Sequence, residues 1–286
     1  MLEAICLESF IKRSLYFGTV DVEVLVDDVL DETCHGGLSF THSHEEPLRD
    51  GGAQGGMGGV IERAAYVDSV RTAVGKKNVL LLHAGDFSQG TSYFTELGGD
   101  IEIDLINAMK YDVVTLGNHE FDNGIDELAR RMGNLKCPVV CANYDFSELV
   151  LGKYVKPYAI VRKGGMKIGV IGLLTDVTRV VQRSIADKMK RFDDIEVANK
   201  WADYLKNEEH CDMVIALTHI GFDSVGMNDP ALVAGTRNID LVVGGHSHTF
   251  LTDAEYRDNL DCRPVPIVQD GCWGLFVGQV DVYRNK

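Results

Sequence analysis

From residue 58 onward the chain repeats one pattern, a short run rich in Val and Ile followed by a segment with helical spacing. That alternation predicts an α/β fold, a sheet with helices on its faces. Strands are expected over Val79 to His83, Asp112 to Leu116, Pro138 to Ala142, Lys167 to Leu173, Met213 to Thr218 and Ile239 to Gly244. Val60, Ala64, Val67, Val70 and Val74 keep a helical period, as do Ile125, Leu128, Ala129 and Met132, and Ile195, Ala198, Trp201, Ala202 and Leu205. Pro264 to Tyr283 alternates without that period and should close the sheet with antiparallel strands. Residues 176 to 194, with Arg179, Arg183, Lys188, Lys190 and Arg191, read as a solvated excursion from the sheet. The first 36 residues fit the pattern poorly and form a divergent segment, apart from Asp21 to Leu30, which could be a strand.

The polar residues that follow these strands carry the chemistry. Val79 to His83 runs into Ala84-Gly85-Asp86, and Asp112 to Leu116 runs into Gly117-Asn118-His119-Glu120. The next two deliver His219 and Gly244-Gly245-His246-Ser247-His248. In parallel α/β sheets the carboxyl ends of the strands line the ligand crevice, so residues scattered in sequence converge. Singly, Asp86 could cap a helix, Asn118 could make a turn, and His219 could be a satisfied core histidine. Four strands ending in Asp, Asn or His, cushioned by glycine, point jointly to metal. Oxygen and imidazole donors without thiolate suit Mn²⁺, Fe or Zn²⁺. A carboxylate shared by two ions, with Asp86 as the natural bridge, would set the ~3.5–4 Å spacing that clamps both oxygens of a phosphoryl transfer.

Composition limits the alternatives. With 28 Lys and Arg against 43 Asp and Glu, the formal charge is −15, which argues against a nucleic-acid surface and requires cations to attract an anionic substrate. No apolar run reaches the roughly 18 to 20 residues of a membrane span. The N-terminus mixes Glu3, Glu8, Lys12 and Arg13 among apolar residues, unlike a secretory signal, so export is unsupported and localisation stays unassigned. Seven scattered cysteines form no CxxC pair and read as buried thiols.

Gly85-Asp86-Phe87-Ser88-Gln89-Gly90, Gly117-Asn118-His119-Glu120-Phe121-Asp122-Asn123-Gly124, Thr218-His219-Ile220-Gly221 and Gly244-Gly245-His246-Ser247-His248-Thr249 resemble the successive motifs of the calcineurin-like metallophosphoesterases. Phe121-Asp122-Asn123-Gly124 and Cys141-Ala142-Asn143-Tyr144 are similar to the 5′-nucleotidase branch. The resemblance covers about residues 38 to 283 and implies a four-layer αββα sandwich, with a catalytic domain over 37–286 after the divergent residues 1–36. It implies two divalent ions, Mn, Zn or Fe, and hydrolysis of a phosphomonoester, a nucleotide, by a metal-bridging hydroxide. By that resemblance Asp86 bridges the ions, Asn118, His219 and His246 complete one site, and His248 joins His42 at the other. His119, oriented by Asp122, would assist the leaving oxygen, and Asn118, His119 and Asn143 would contact substrate. A turn beginning at Asn118 would put His119 and Asp122 on one face, although Asp122 could also cap the helix at Ile125.

One ligand departs from the pattern. The family's first motif is Asp-x-His, and the matching stretch here is Phe40-Thr41-His42, so the first metal site lacks its aspartate. That site should be weak or empty, and a catalytically impaired metal-binding subunit stands as the alternative. The sequence lacks the second nucleotidase domain that contacts base and sugar, which leaves substrate identity open and a separate C-terminal-type domain as an expected partner.

Overall fold

The computed structural model describes residues 10–15, 18–27, 43–49 and 52–284, with the backbone path alone for 10–27 and 284. In chain order the strands are β1 (Phe10–Leu15), β2 (Gly18–Asp27), β3 (Val79–His83), β4 (Val113–Thr115), β5 (Val139–Val140), β6 (Tyr144–Asp145), β7 (Val155–Lys156), β8 (Tyr158–Lys163), β9 (Met166–Leu174), β10 (Lys190–Arg191), β11 (Met213–His219), β12 (Leu241–Val243), β13 (Glu255–Asp258), β14 (Pro264–Val268) and β15 (Val277–Arg284). The helices are α1 (Val60–Val74), α2 (Ser92–Leu97), α3 (Asp100–Met109), α4 (Ile125–Met132), α5 (Arg183–Ala186), α6 (Asp194–Asn207) and α7 (Asp229–Ala234).

The strands form two large sheets, ordered β1-β15-β2-β3-β4-β5-β7 and β13-β14-β12-β11-β9-β8. Their central strands read as unbroken apolar runs because both faces are buried. The two-residue period sorts the side chains between layers. Leu80 and Leu82 of β3 meet Ile168 and Val170 of β9 and Ile215 and Leu217 of β11 between the sheets. Val79 and Leu81 face the opposite way, toward Val67 of α1, Ile103 of α3 and Leu128 of α4. Val214 and Ala216 of β11 pack with Val197 and Ala198 of α6 and Leu232 of α7. The result is the expected αββα sandwich. Each fully buried Leu or Ile contributes about 1.5–3 kcal/mol of transfer free energy, so these three apolar layers supply the rigidity on which the strand ends rest.

Two helices missed by apolar spacing, α2 and α3, fill the connection from β3 to β4. Arg71 of α1 closes the C-terminus of α3, donating from Nη1 to the Met109 carbonyl at 2.7 Å and from Nη2 to that of Lys110 at 3.0 Å. The segment 176–194 leaves the large sheets as expected, and β10 pairs there only with β6. The C-terminal strands differ from the expectation. β14 runs parallel to β12 in the second sheet, whereas β15 crosses to the first, lying antiparallel to β2 and parallel to β1. An alternating pattern fixes which residues face a core but not which of two sheets receives the strand. Residues 10–15 and 18–27 are thus built into the same sheet as β3, with Asp27 in register opposite His83.

Candidate metal centre

The carboxyl ends of β3, β4, β11 and β12 bring the predicted residues together. One ligand atom each from Asp86, His219 and His246 lie within 4.8 Å of one another. His219 Nε2 is 2.9 Å from Asp86 Oδ2, and both side chains are fully buried. The rings of His219 and His246 are 5.1 Å apart. His219 Nδ1 donates to the Ala84 carbonyl at 2.7 Å, which fixes the tautomer and turns Nε2 toward the carboxylate. Burial opposes charge on His219, but the charge and hydrogen bond of Asp86 outweigh it and hold the imidazole above its ordinary range. Both amide atoms of Asn118 are buried without a hydrogen-bond partner among the described residues. An unmet buried amide costs about 1–3 kcal/mol. A cation taking Asn118 Oδ1 with the Asp86–His219–His246 group would satisfy it, so these side chains fit a divalent ion. His248 lies outside that group of three, and His42 and Phe40 lie outside the described residues.

The backbone is shaped to this convergence. Asp86, His246 and His248 adopt positive φ of 52°, 81° and 58°, a conformation costly for residues with a Cβ and found at sites where geometry matters more than local stability. Two glycines allow the β3 and β4 loops to touch. A Cβ on Gly85 would lie 2.5 Å from the Gly117 nitrogen, and one on Gly117 would lie 2.1 Å from Asp86 Oδ1. The residue after His42 is anchored beside these loops: Ser43 N donates to the Gln89 carbonyl at 2.7 Å, Thr91 Oγ1 donates to the Ser43 carbonyl, and Ser43 Oγ donates to buried Glu102.

His119 stands next to the cluster without joining it. A 3₁₀ turn over His119–Phe121 follows Asn118 and brings His119 Nδ1 to 2.8 Å from Asp122 Oδ2, while the His119 backbone N–H donates to Asp86 Oδ1 at 2.8 Å. Asp122 is not the N-cap of α4, a position that Gly124 occupies; it ends the 3₁₀ turn instead. His119 and Asp122 are partly exposed, unlike Asp86 and His219. Asn143, from which a substrate contact is expected, follows β5. It is buried, its Oδ1 accepts from Leu174 N at 2.9 Å, and its Nδ2 donates to the Leu174 carbonyl and Asp194 Oδ1, both at 2.6 Å. That amide joins the two sheets and is spent on structure. His83 accepts from Gly85 N at 3.2 Å and packs edge-on against Phe87.

Behind the cluster lies a residue that sequence reasoning missed. Asp229 is fully buried in the first turn of α7; its Oδ1 accepts from Thr218 Oγ1 at 2.6 Å, and its Oδ2 has no hydrogen-bond partner among the described residues. Burial pushes this carboxyl up to about 7, against the pull of the Thr218 bond and His219. A carboxyl raised on folding keeps its stabilising proton at low pH and loses that contribution as pH rises from about 4 to 7. Asp229→Asn should therefore raise the urea midpoint of the metal-free protein at pH 8, with the gain shrinking toward pH 4. An equal gain at both pH values would show that Asp229 does not carry this proton.

The calcineurin-like phosphoesterase model matches residues 35–250, and the chain belongs to that family. Among its relatives, a snake venom 5′-nucleotidase from Naja atra is 34% identical over 258 residues, 83% of this chain and 47% of that protein. The Homo sapiens 5′-nucleotidase is 32% identical over 244 residues, 79% of this chain and 41% of that protein. The crystal structure of a 5′-nucleotidase precursor from Thermus thermophilus superimposes with a TM-score of 0.78 at 31% identity, over 91% of this chain and 50% of that one. The chain spans about half the length of the relatives it matches.

Proposed function

We propose that the chain is a metal-dependent phosphomonoester hydrolase whose substrates are 5′-nucleotides. The observation that carries this reading is the gathering of buried Asp86 and His219 with half-buried His246, beside a separate, partly exposed His119–Asp122 pair. Its similarity to 5′-nucleotidases supports the substrate class. Asp86, Asn118, His219 and His246 would hold one divalent ion; His248 and His42 would serve the second, with Asp86 shared. Such ions neutralise phosphate charge and lower the pKa of a coordinated water to about 7.

The protein's own groups do the rest. Asp122 holds the His119 ring at Nδ1, which leaves Nε2 as the atom to give a proton to the departing alkoxide. The His119 backbone N–H bound to Asp86 Oδ1 keeps that donor at a fixed distance from the bridging carboxylate. Among the described residues no helix is long and apolar enough to cross a membrane.

The test is hydrolysis of a panel of nucleoside monophosphates and p-nitrophenyl phosphate with added Mn²⁺. Phosphate release from the nucleotides, abolished by chelation, is expected. Phe40 favours a competing reading, a metal-holding subunit without turnover, and failure to release phosphate from any substrate would select it. Calorimetric Mn²⁺ titration should show about one strong equivalent and a weaker second, because one site lacks its aspartate. Two equally tight sites would mean that another group replaces the carboxylate at Phe40.

A further inference from the structure

We propose that Glu120 is a positioning residue that sets the metal centre through backbone amides. This rests on the metal-dependent reading above. Its side chain is fully buried between the loops that follow β3 and β4. Oε2 accepts from Asp86 N at 2.7 Å and Gly117 N at 2.6 Å, and Oε1 accepts from Ser88 N at 3.1 Å. The three donors come from two loops about 30 residues apart in sequence, and each sits at or beside a proposed ligand. One is the amide of Asp86 itself, another belongs to the residue before Asn118, and the third lies two residues after Asp86.

This carboxylate does what no metal ligand can do for itself. Asp86 holds a positive φ of 52°, a strained state that persists only where its surroundings over-determine it. Glu120 grips the amide of that residue and, through Gly117, the loop that supplies Asn118. A buried N–H left unmet costs free energy comparable to a lost hydrogen bond, and Glu120 meets three of them. Arg131 braces the segment: it is itself fully buried, donating from Nη2 to the Glu120 carbonyl at 2.8 Å and from Nη1 to Ser88 Oγ at 2.7 Å. The arrangement is thus an assembled clamp, with α4 locking the strap that ties Asp86 to Asn118. Because His119 is the residue before Glu120, the same strap holds the proton donor against the cluster.

Glu120→Gln separates this role from a general contribution to stability. The amide is isosteric, but whichever way it is turned its NH₂ confronts at least one of the three backbone donors. Mn²⁺ should be titrated calorimetrically into the metal-free full chain, its Glu120→Gln variant, and Leu128→Ala, a core truncation at a fully buried position of α4. The strongest site should weaken by about 10–100-fold in Glu120→Gln, the usual effect of removing a partner that orients ligands, and stay unchanged in Leu128→Ala. Equal affinity in parent and Glu120→Gln overturns the proposal alone. A parent that takes up no Mn²⁺ overturns the metal-dependent reading as well. If Glu120→Gln fails to fold, hydrogen exchange on the metal-free parent decides: the Asp86, Ser88 and Gly117 amides should exchange as slowly as those of β3, and exchange at free-loop rates would refute the clamp.

Discussion

Replacing His119 with alanine should lower kcat for nucleoside monophosphates by about 10²–10⁴-fold, the range for loss of a general acid, with metal content unchanged. The separation of tasks in the structure is the reason. The His119 backbone N–H donates to Asp86 Oδ1 at 2.8 Å, while its ring is held by Asp122 at 2.8 Å. The loss should shrink for p-nitrophenyl phosphate, whose leaving oxygen needs little protonation, and Asp122→Asn should show the same dependence on the leaving group at smaller amplitude. If His119→Ala stripped the metal and slowed both substrates equally, His119 would be a ligand and the division of roles would fail.

Asp86→Asn should have the larger effect, removing both turnover and tight metal binding. Asp86 is central to the ligand group, fully buried, and the charge that holds His219 above its ordinary range against burial. In the metal-free parent that pairing favours the protonated imidazole, and a cation binding at Nε2 competes with that proton. Metal affinity should consequently rise with pH in the parent, as expected when a ligand is deprotonated on binding, and this pH dependence should flatten in the variant. Thermal denaturation offers a second readout. Ligand at 100 times its Kd stabilises the folded state by about 2.7 kcal/mol, so Mn²⁺ should raise the parent's Tm and leave that of Asp86→Asn nearly unmoved. An equal Tm shift in both proteins would place the tight site elsewhere.

Local pattern and short spacing were legible in the sequence. β3 spans the predicted Val79 to His83 and α1 the predicted 60–74, and Asp86, His219 and His246 do follow strand ends, although their meeting also needed the sheet of β3 to stack on that of β11 and β12. The His119–Asp122 pair was legible for the same reason, since three residues make one turn. What tertiary structure alone decided depends on partners far apart in the chain. It divided the last two strands between two sheets, turned the amide of Asn143 to Leu174 and Asp194, buried Asp229 behind His219, and made Glu120 the acceptor for amides of two loops. Periodicity reports which face of an element is apolar, because that preference is set residue by residue. It carries no record of which distant N–H a buried carboxylate will meet, since that bond exists only once β3 and β4 lie side by side.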